Sequence, residues 1–120
     1  MKAEDGRFWE ALDSLVSECP PRIDRPKGSR HPRYPELIYP LDYGYLQGST
    51  AVDGGGVDVW RGELAGSEIV GVIMTVDLLK RDAEIKVLIG TSEADIRTIM
   101  QFHASMAPIL VRKPAGKREM

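Results

Sequence analysis

The sequence lacks the features that define several classes of protein. Its 120 residues include one cysteine, Cys19, which excludes an internal disulfide and a cysteine-based metal cage. No apolar run approaches the roughly 20 residues that span a bilayer. The first ten residues lack the apolar segment of a secretory signal. These absences predict a cytoplasmic protein with no membrane segment, in which Cys19 is a reduced, partly buried thiol.

Three common catalytic arrangements are also missing. His31 and His103, the only histidines, have no partner at metal-ligand spacing. The serines have no evident general base, which leaves a nucleophilic triad without support. A strand-like segment, not a helix, follows the glycines 54–56. This order excludes the glycine-rich phosphate loop of nucleotide-binding folds.

The composition and the hydrophobic periodicity predict one small α+β domain that is mainly β. Hydrophobic residues make up 42% of the chain and charged residues 28%, as in an ordinary soluble domain. We expect the domain to span residues 1–113 and a loose tail to span 114–120. Helical spacing predicts helices over 5–18 and 92–106, the second opened by a capping box. Stretches rich in Val and Ile predict strands over Val57–Trp60, Glu68–Val76, Glu84–Ile89 and Ala107–Arg112. We expect a closed barrel of about five or more short strands with the helices outside.

Charge is distributed unevenly in the first half of the chain. Five basic residues lie between Arg22 and Arg33, where Asp24 is the only acid. From Tyr34 to Asp58 there are four acids and no base. These stretches are either two solvated faces or a cationic arm for an anionic ligand beside carboxylates for its metal. The second arrangement suits a magnesium phosphate compound.

The segment "YPLDYGYLQGSTAVDGGGVDV", from Tyr39 to Val59, resembles the signature of the soluble inorganic pyrophosphatases. That family carries Tyr-Pro-x-Asn-Tyr-Gly and, after a short strand and turn, Asp-Gly-Asp-Pro-x-Asp-Val. Upstream, "DRPKGSR" is similar to the family's Glu-Ile-Pro-Lys-Gly-Ser-Arg. Downstream, "VGVIMTVD" is similar to its Val-Gly-x-x-x-Met-x-Asp strand, and Asp82-Ala83 to its later Asp-Ala pair. The resemblance covers about residues 22–90 in order.

The resemblance implies an OB-like β-barrel that binds Mg²⁺ and pyrophosphate. It implies a catalytic set, a metal set and a phosphate-binding set. The metal set is Asp53, Asp58, Asp77 and Asp82. The phosphate-binding set is Lys27, Arg33, Tyr43 and Lys86, and the catalytic set is Asp53, Asp58 and Asp42. Asp42 joins the catalytic set because it stands where the family has asparagine, and it adds a carboxylate.

The central box departs from the family at one position that matters for catalysis. The aspartate expected to orient the attacking water is Gly55 here, and the following proline is Gly56. Loss of a general base typically costs about 10²–10⁴ in rate. Two hypotheses therefore stand: a Mg²⁺-dependent hydrolase of pyrophosphate or a related phosphoanhydride, and a catalytically inactive homologue that binds a phosphorylated metabolite or a protein partner.

Two further expectations concern partners. Single-stranded nucleic acid is a weaker third option, because only four tyrosines are interleaved with charge and the chain is acidic overall. The family forms hexamers or dimers, so a homo-oligomer is expected here as well. Residues 49–62 themselves remain open to two interpretations, a cation site or a plain hairpin loop.

Overall fold

The computed structural model describes residues 6–115. Two helices and a short 3₁₀ turn accompany six strands. The helices are α1 (Arg7–Glu18) and α2 (Glu93–Phe102), and the 3₁₀ turn is Ala104–Met106. The strands are β1 (Pro21–Arg25), β2 (Asp42–Leu46), β3 (Asp58–Arg61), β4 (Ile69–Asp77), β5 (Asp82–Ile89) and β6 (Ile109–Arg112). The mainly β, α+β class predicted from the sequence is confirmed, and none of the described helices is long and apolar enough to cross a membrane.

The six strands form one open sheet in the order β1-β2-β3-β5-β4-β6. Since β1 and β6 are the two edges, the expected closed barrel is not what the described residues form. Strands β3 and β5 pair in parallel, and the other pairs are antiparallel. The parallel pair arises because the β4–β5 hairpin places β5 between β3 and β4. The hydrophobic periodicity of the sequence does not predict this strand order.

The two helices cover opposite faces of the sheet. Helix α1 buries Trp9 and Leu12 against a cluster that includes Leu46, Val59 and Val87. Helix α2 buries Ile96 and Ile99 against a second cluster on the other face. That cluster includes Tyr39, Leu41, Tyr43, Trp60, Ile73 and Leu88. Because successive strand residues point to opposite faces, strands β2 to β5 each contribute side chains to both clusters.

Several boundaries differ from the prediction for local reasons. Helix α1 begins at Arg7, and residue 5 of the predicted helix and residues 116–120 of the predicted tail lie outside the described range. The predicted helix 92–106 ends at Phe102, and the 3₁₀ turn after it ends at Ala107, which has a left-handed φ of 47°. The capping box is confirmed, since Ser92 Oγ accepts from the Asp95 amide and Asp95 accepts from the Ser92 amide. Strands β1 and β2 were not predicted as strands, because prolines and glycines surround them.

Candidate functional site

A cleft of about 1210 Å³ opens on the α2 face of the sheet, beside the end of that helix. Strands β2 to β5 form its floor, and three connecting segments form its rim. These segments are the β1–β2 connection, the β2–β3 loop and the β4–β5 hairpin. The cleft therefore lies where polar side chains of one sheet face meet the loops that extend beyond the sheet.

Six carboxylates line this cleft, and five of them, all but Asp24 of β1, come from the β2–β3 loop and from strands β3 to β5. Asp53 comes from the β2–β3 loop, and Asp58 comes from the start of β3. Asp77 and Asp82 pair across the β4–β5 hairpin, and Glu84 follows on the same face of β5. The sequence-predicted metal set is thus gathered in one cleft, together with Glu84, which was not predicted as a site residue. Its signal was the two-residue spacing 82-84-86, which places three charged side chains on one face of a strand.

Each of the outer carboxylates has its own local role. Asp77 Oδ1 accepts from the amides of Leu79 and Lys80 at 3.0 and 3.2 Å, which holds the hairpin turn. Asp53 Oδ1 accepts from the Gly55 amide at 3.0 Å. Asp82 lies 3.8 Å from the Lys80 ammonium. Within residues 6–115, no three His, Cys, Asp or Glu side chains are arranged to hold one ion as they stand.

The inner end of the cleft is organised around Lys86, whose side chain is only 4% exposed. Its ammonium donates to Glu84 Oε1 at 2.6 Å, to Asp58 Oδ2 at 3.2 Å and to the Tyr43 hydroxyl at 3.2 Å. The Tyr43 hydroxyl in turn donates to Asp58 Oδ2 at 2.7 Å. Lys86 and Tyr43, both predicted to bind phosphate, are therefore directed at carboxylates of the chain itself.

The protonation of this network follows from burial and charge. Burial raises the pKa of Tyr43, and the neighbouring Asp58 charge raises it further, so the phenol stays protonated. Burial also acts to raise the pKa of Glu84, but the hydrogen bond and charge of Lys86 outweigh it and hold that pKa below its usual range. The network is thus an ionised lysine–glutamate pair beside a phenol that donates to Asp58.

Cationic side chains line the same cleft. Arg33 is there as predicted, and the structure adds Arg25 of β1 and Lys80 of the β4–β5 hairpin. His31 fixes the segment, since its Nδ1 accepts from the amides of Arg33 and Tyr34 at 3.0 and 3.2 Å. Burial lowers the pKa of His31, and the charges of Arg25 and Arg33 lower it further. A neutral His31 can accept these bonds, which keeps Arg33 at the cleft.

Two predicted site residues lie elsewhere. Asp42 Oδ1 accepts from the Lys27 amide at 2.8 Å. The Lys27 ammonium pairs with Glu63 at 2.5 Å, and both of these side chains are more than half exposed. Neither Asp42 nor Lys27 is among the residues that line the cleft. The Lys-Gly-Ser segment thus anchors the start of β2 instead of reaching into the cleft.

The three glycines in the β2–β3 loop are not equivalent. Gly54 has a φ of +90°, a conformation that side chains strongly disfavour. A Cβ at Gly56 would lie 2.8 Å from the Tyr45 ring. Gly55 has neither constraint, and a Cβ there would lie 3.5 Å from Asp53 Oδ1. The loop therefore requires glycine at two positions, whereas position 55 can accept a side chain next to Asp53.

The cleft brings together carboxylates, which are suited to a hard cation, and cationic side chains, which are suited to an anion. Seven of the nine predicted site residues line it, and Lys27 and Asp42 do not. The seven are Arg33, Tyr43, Asp53, Asp58, Asp77, Asp82 and Lys86. In comparisons with known proteins, no family model matches this chain and no curated protein gives a significant match.

Proposed function

We propose that this protein is a divergent member of the soluble inorganic pyrophosphatase family that hydrolyses pyrophosphate or a related phosphoanhydride with Mg²⁺. One observation supports the proposal above the others: carboxylates and cations line a single cleft. A phosphoanhydride bound to Mg²⁺ presents both charges, and such a cleft complements each of them. The single cysteine fits the cytoplasm as the place where the protein acts.

The outer carboxylates are the residues that would hold Mg²⁺. Carboxylate oxygens are the ligands that this hard cation prefers. Asp53, Asp77 and Asp82 lie at the rim of the cleft, and these side chains must move together to share one ion. A bound magnesium ion supplies charge neutralisation and a more acidic water. These three carboxylates thus fit Mg²⁺ because they offer oxygen ligands and because they line one cleft.

The cationic residues of the cleft supply the groups that hold the phosphates. Arg33 and Arg25 carry guanidinium groups, which bind phosphate oxygens through paired hydrogen bonds. Lys80, on the β4–β5 hairpin, adds an ammonium that lies 3.8 Å from Asp82. These cations neutralise charge that develops on the leaving phosphate as the anhydride bond breaks.

The position of the missing catalytic carboxylate limits the expected rate. Gly55 has no side chain to orient a water, and Asp58 already accepts from Tyr43 and Lys86. We expect hydrolysis slower than in a complete site by about the general-base contribution of 10²–10⁴. The same two facts favour the second candidate function, a protein that binds a phosphorylated metabolite without hydrolysing it.

Two measurements on one set of proteins separate the candidates. Phosphate release from pyrophosphate is followed with Mg²⁺ and with a chelator, and binding of the non-hydrolysable imidodiphosphate is followed by calorimetry. The hydrolase proposal expects Mg²⁺-dependent release that Asp82→Asn reduces and that the control Asp13→Asn, on α1, leaves unchanged. Binding without release in the presence of Mg²⁺ identifies the non-catalytic protein. If the protein neither releases phosphate nor binds imidodiphosphate, both candidates are contradicted.

A further inference from the structure

Lys86 is unusual because it is a buried lysine surrounded by oxygens. Lysine side chains are almost never fully buried unless they are paired. The Lys86 ammonium has three N–H groups, and Glu84, Asp58 and Tyr43 accept one each at 2.6–3.2 Å. It also lies 5.8 Å from the centre of the Tyr43 ring. Every donor of the ammonium is therefore used inside the protein.

The sheet itself fixes this arrangement. Asp58 and Lys86 are register partners in the parallel β3–β5 pair. Glu84 precedes Lys86 by two residues and so shares its face of β5. Tyr43 reaches the group from β2, where it pairs with Trp60 of β3. Because regular strands carry all four residues, the ammonium is held between the two carboxylates without contributions from flexible loops.

We propose that Lys86 is the resident cation of the site: its ammonium occupies the place between Asp58 and Glu84 that a divalent ion would otherwise take. Two carboxylate oxygens and one phenolic oxygen from three strands converge on it. These are hard oxygen donors of the kind that bind Mg²⁺ or Mn²⁺. In the native protein the inner end of the cleft thus carries a permanent positive charge that needs no metal.

This assignment divides the predicted metal set into two parts. Asp58 neutralises Lys86, so it is withdrawn from metal binding in the native protein. Asp53, Asp77 and Asp82 at the rim remain for an external ion. Lys86 is accordingly a positioning residue that orients Asp58 and Tyr43, and the phosphate groups are left to Arg25 and Arg33. The inference goes beyond the proposed hydrolysis and holds whether or not the protein turns over pyrophosphate.

The test replaces Lys86 by methionine, which keeps the length of the side chain and removes its charge. Without metal, Lys86→Met should melt at a lower temperature, because two partly buried carboxylates lose their counter-ion. Added Mn²⁺ should restore much of the lost melting temperature, and calorimetry should show Mn²⁺ binding about tenfold or more tighter than in the wild type. If Lys86 has only a structural role, the melting temperature should fall in Lys86→Met and Mn²⁺ should not restore it.

Two controls isolate the effect. Lys113→Met removes an ammonium that pairs with Asp13 on α1, away from the cleft, and its Mn²⁺-dependent stabilisation should stay close to that of the wild type. The double variant Lys86→Met with Glu84→Gln removes one ligand of the new site and should lose the gain. The proposal is overturned if Lys86→Met folds and binds Mn²⁺ no more tightly than the wild type. It is equally overturned if the variant is unfolded and Mn²⁺ does not restore its fold.

Discussion

Single residues decide what the loop over 53–58 can do. Gly54 is required by its positive φ and Gly56 by the Tyr45 ring, whereas Gly55 is required by neither. The sequence predicted a hairpin loop or a cation site here. The structure shows a tight turn that presents Asp53 to the cleft, and cation binding there stays a prediction. Position 55 is the one place in the turn where a carboxylate can be added without strain.

Gly55→Asp should therefore increase Mg²⁺-dependent phosphate release from pyrophosphate. The new carboxylate would lie beside Asp53, where it can help to orient a water and to hold the ion. The gain in rate should stay well below the general-base range of about 10²–10⁴, because Asp58, at the inner end of the cleft, remains hydrogen-bonded to Lys86. Gly54→Asp is the control, and its positive φ should lower the melting temperature by strain. A well-folded Gly55→Asp with unchanged Mg²⁺ binding and unchanged release would contradict the hydrolase proposal.

His103 gives the protein a specific dependence of stability on pH. Its Nε2 accepts from the Trp60 indole at 3.0 Å, and burial lowers its pKa to about 4. The unfolded chain takes up this proton near pH 6.5 and the folded chain only near pH 4. The free energy of unfolding should therefore fall by about 3 kcal/mol as pH drops through that window.

Urea denaturation at several pH values checks this expectation against His103→Gln, whose amide oxygen can still accept from Trp60. Since the variant lacks the titrating imidazole, its stability should depend less on pH between 6.5 and 4. His31 adds a change of the same sign in both proteins, because its pKa is also lowered. Identical pH profiles for the two proteins would show that the His103 assignment is wrong.

The family resemblance grouped Asp53, Asp58, Asp77 and Asp82, and all four line one cleft in the structure. Their role in metal binding stays a prediction. The role of Lys86 was not predictable, because it depends on which strand lies next to β5. The positions of Asp42 and Lys27 were not predictable for the same reason. The hydrogen bond between them depends on how the β1–β2 connection folds back.

At the scale of elements, the strands were recognised where Val and Ile were dense and missed where glycine and proline interrupted them. Strand β2 contains Gly44, which weakens the pattern of a strand. The structure explains this glycine by close approach, since a Cβ at Gly44 would lie 1.9 Å from the Arg22 carbonyl oxygen of β1. Gly44 therefore weakens the strand pattern in the sequence and also allows β2 to pair with β1.

Gly44→Ala should accordingly separate β1 from β2. The clash is with backbone, which cannot rotate away as a side chain can, so we expect a loss of about 3 kcal/mol in the free energy of unfolding. Gly55→Ala is the matched control, and it should be neutral or stabilise by about 0.4–1 kcal/mol through the unfolded chain. Denaturant unfolding measures both, and hydrogen exchange of the β1 amides locates the change. Equal stability of the two variants would contradict the close-approach explanation.

At the scale of the whole molecule, the two faces of the sheet have different tasks. One face packs against α1 and contains mainly apolar residues, and the other carries α2 at one end and the cleft at the other. The sequence predicted both helices and the class of fold. It did not predict the open sheet, because strand order follows from non-local pairing that local periodicity does not encode. The parallel β3–β5 pair, which sets Asp58 opposite Lys86, arises from that order alone.

The separation of tasks predicts that Trp9→Ala, on the α1 face, weakens the fold without altering the site. Trp9 is buried against Leu46, Val59 and their neighbours, so its truncation should lower the free energy of unfolding by about 3–5 kcal/mol. Phe8→Ala is the control on the same helix, since that ring is half exposed and should cost under about 1 kcal/mol. Urea unfolding measures both variants. Imidodiphosphate binding, measured well below the melting temperature, should match the wild type in each. If Trp9→Ala folds but no longer binds imidodiphosphate, as is expected for Asp82→Asn, the α1 face controls the cleft. The proposed separation of the two faces would then be wrong.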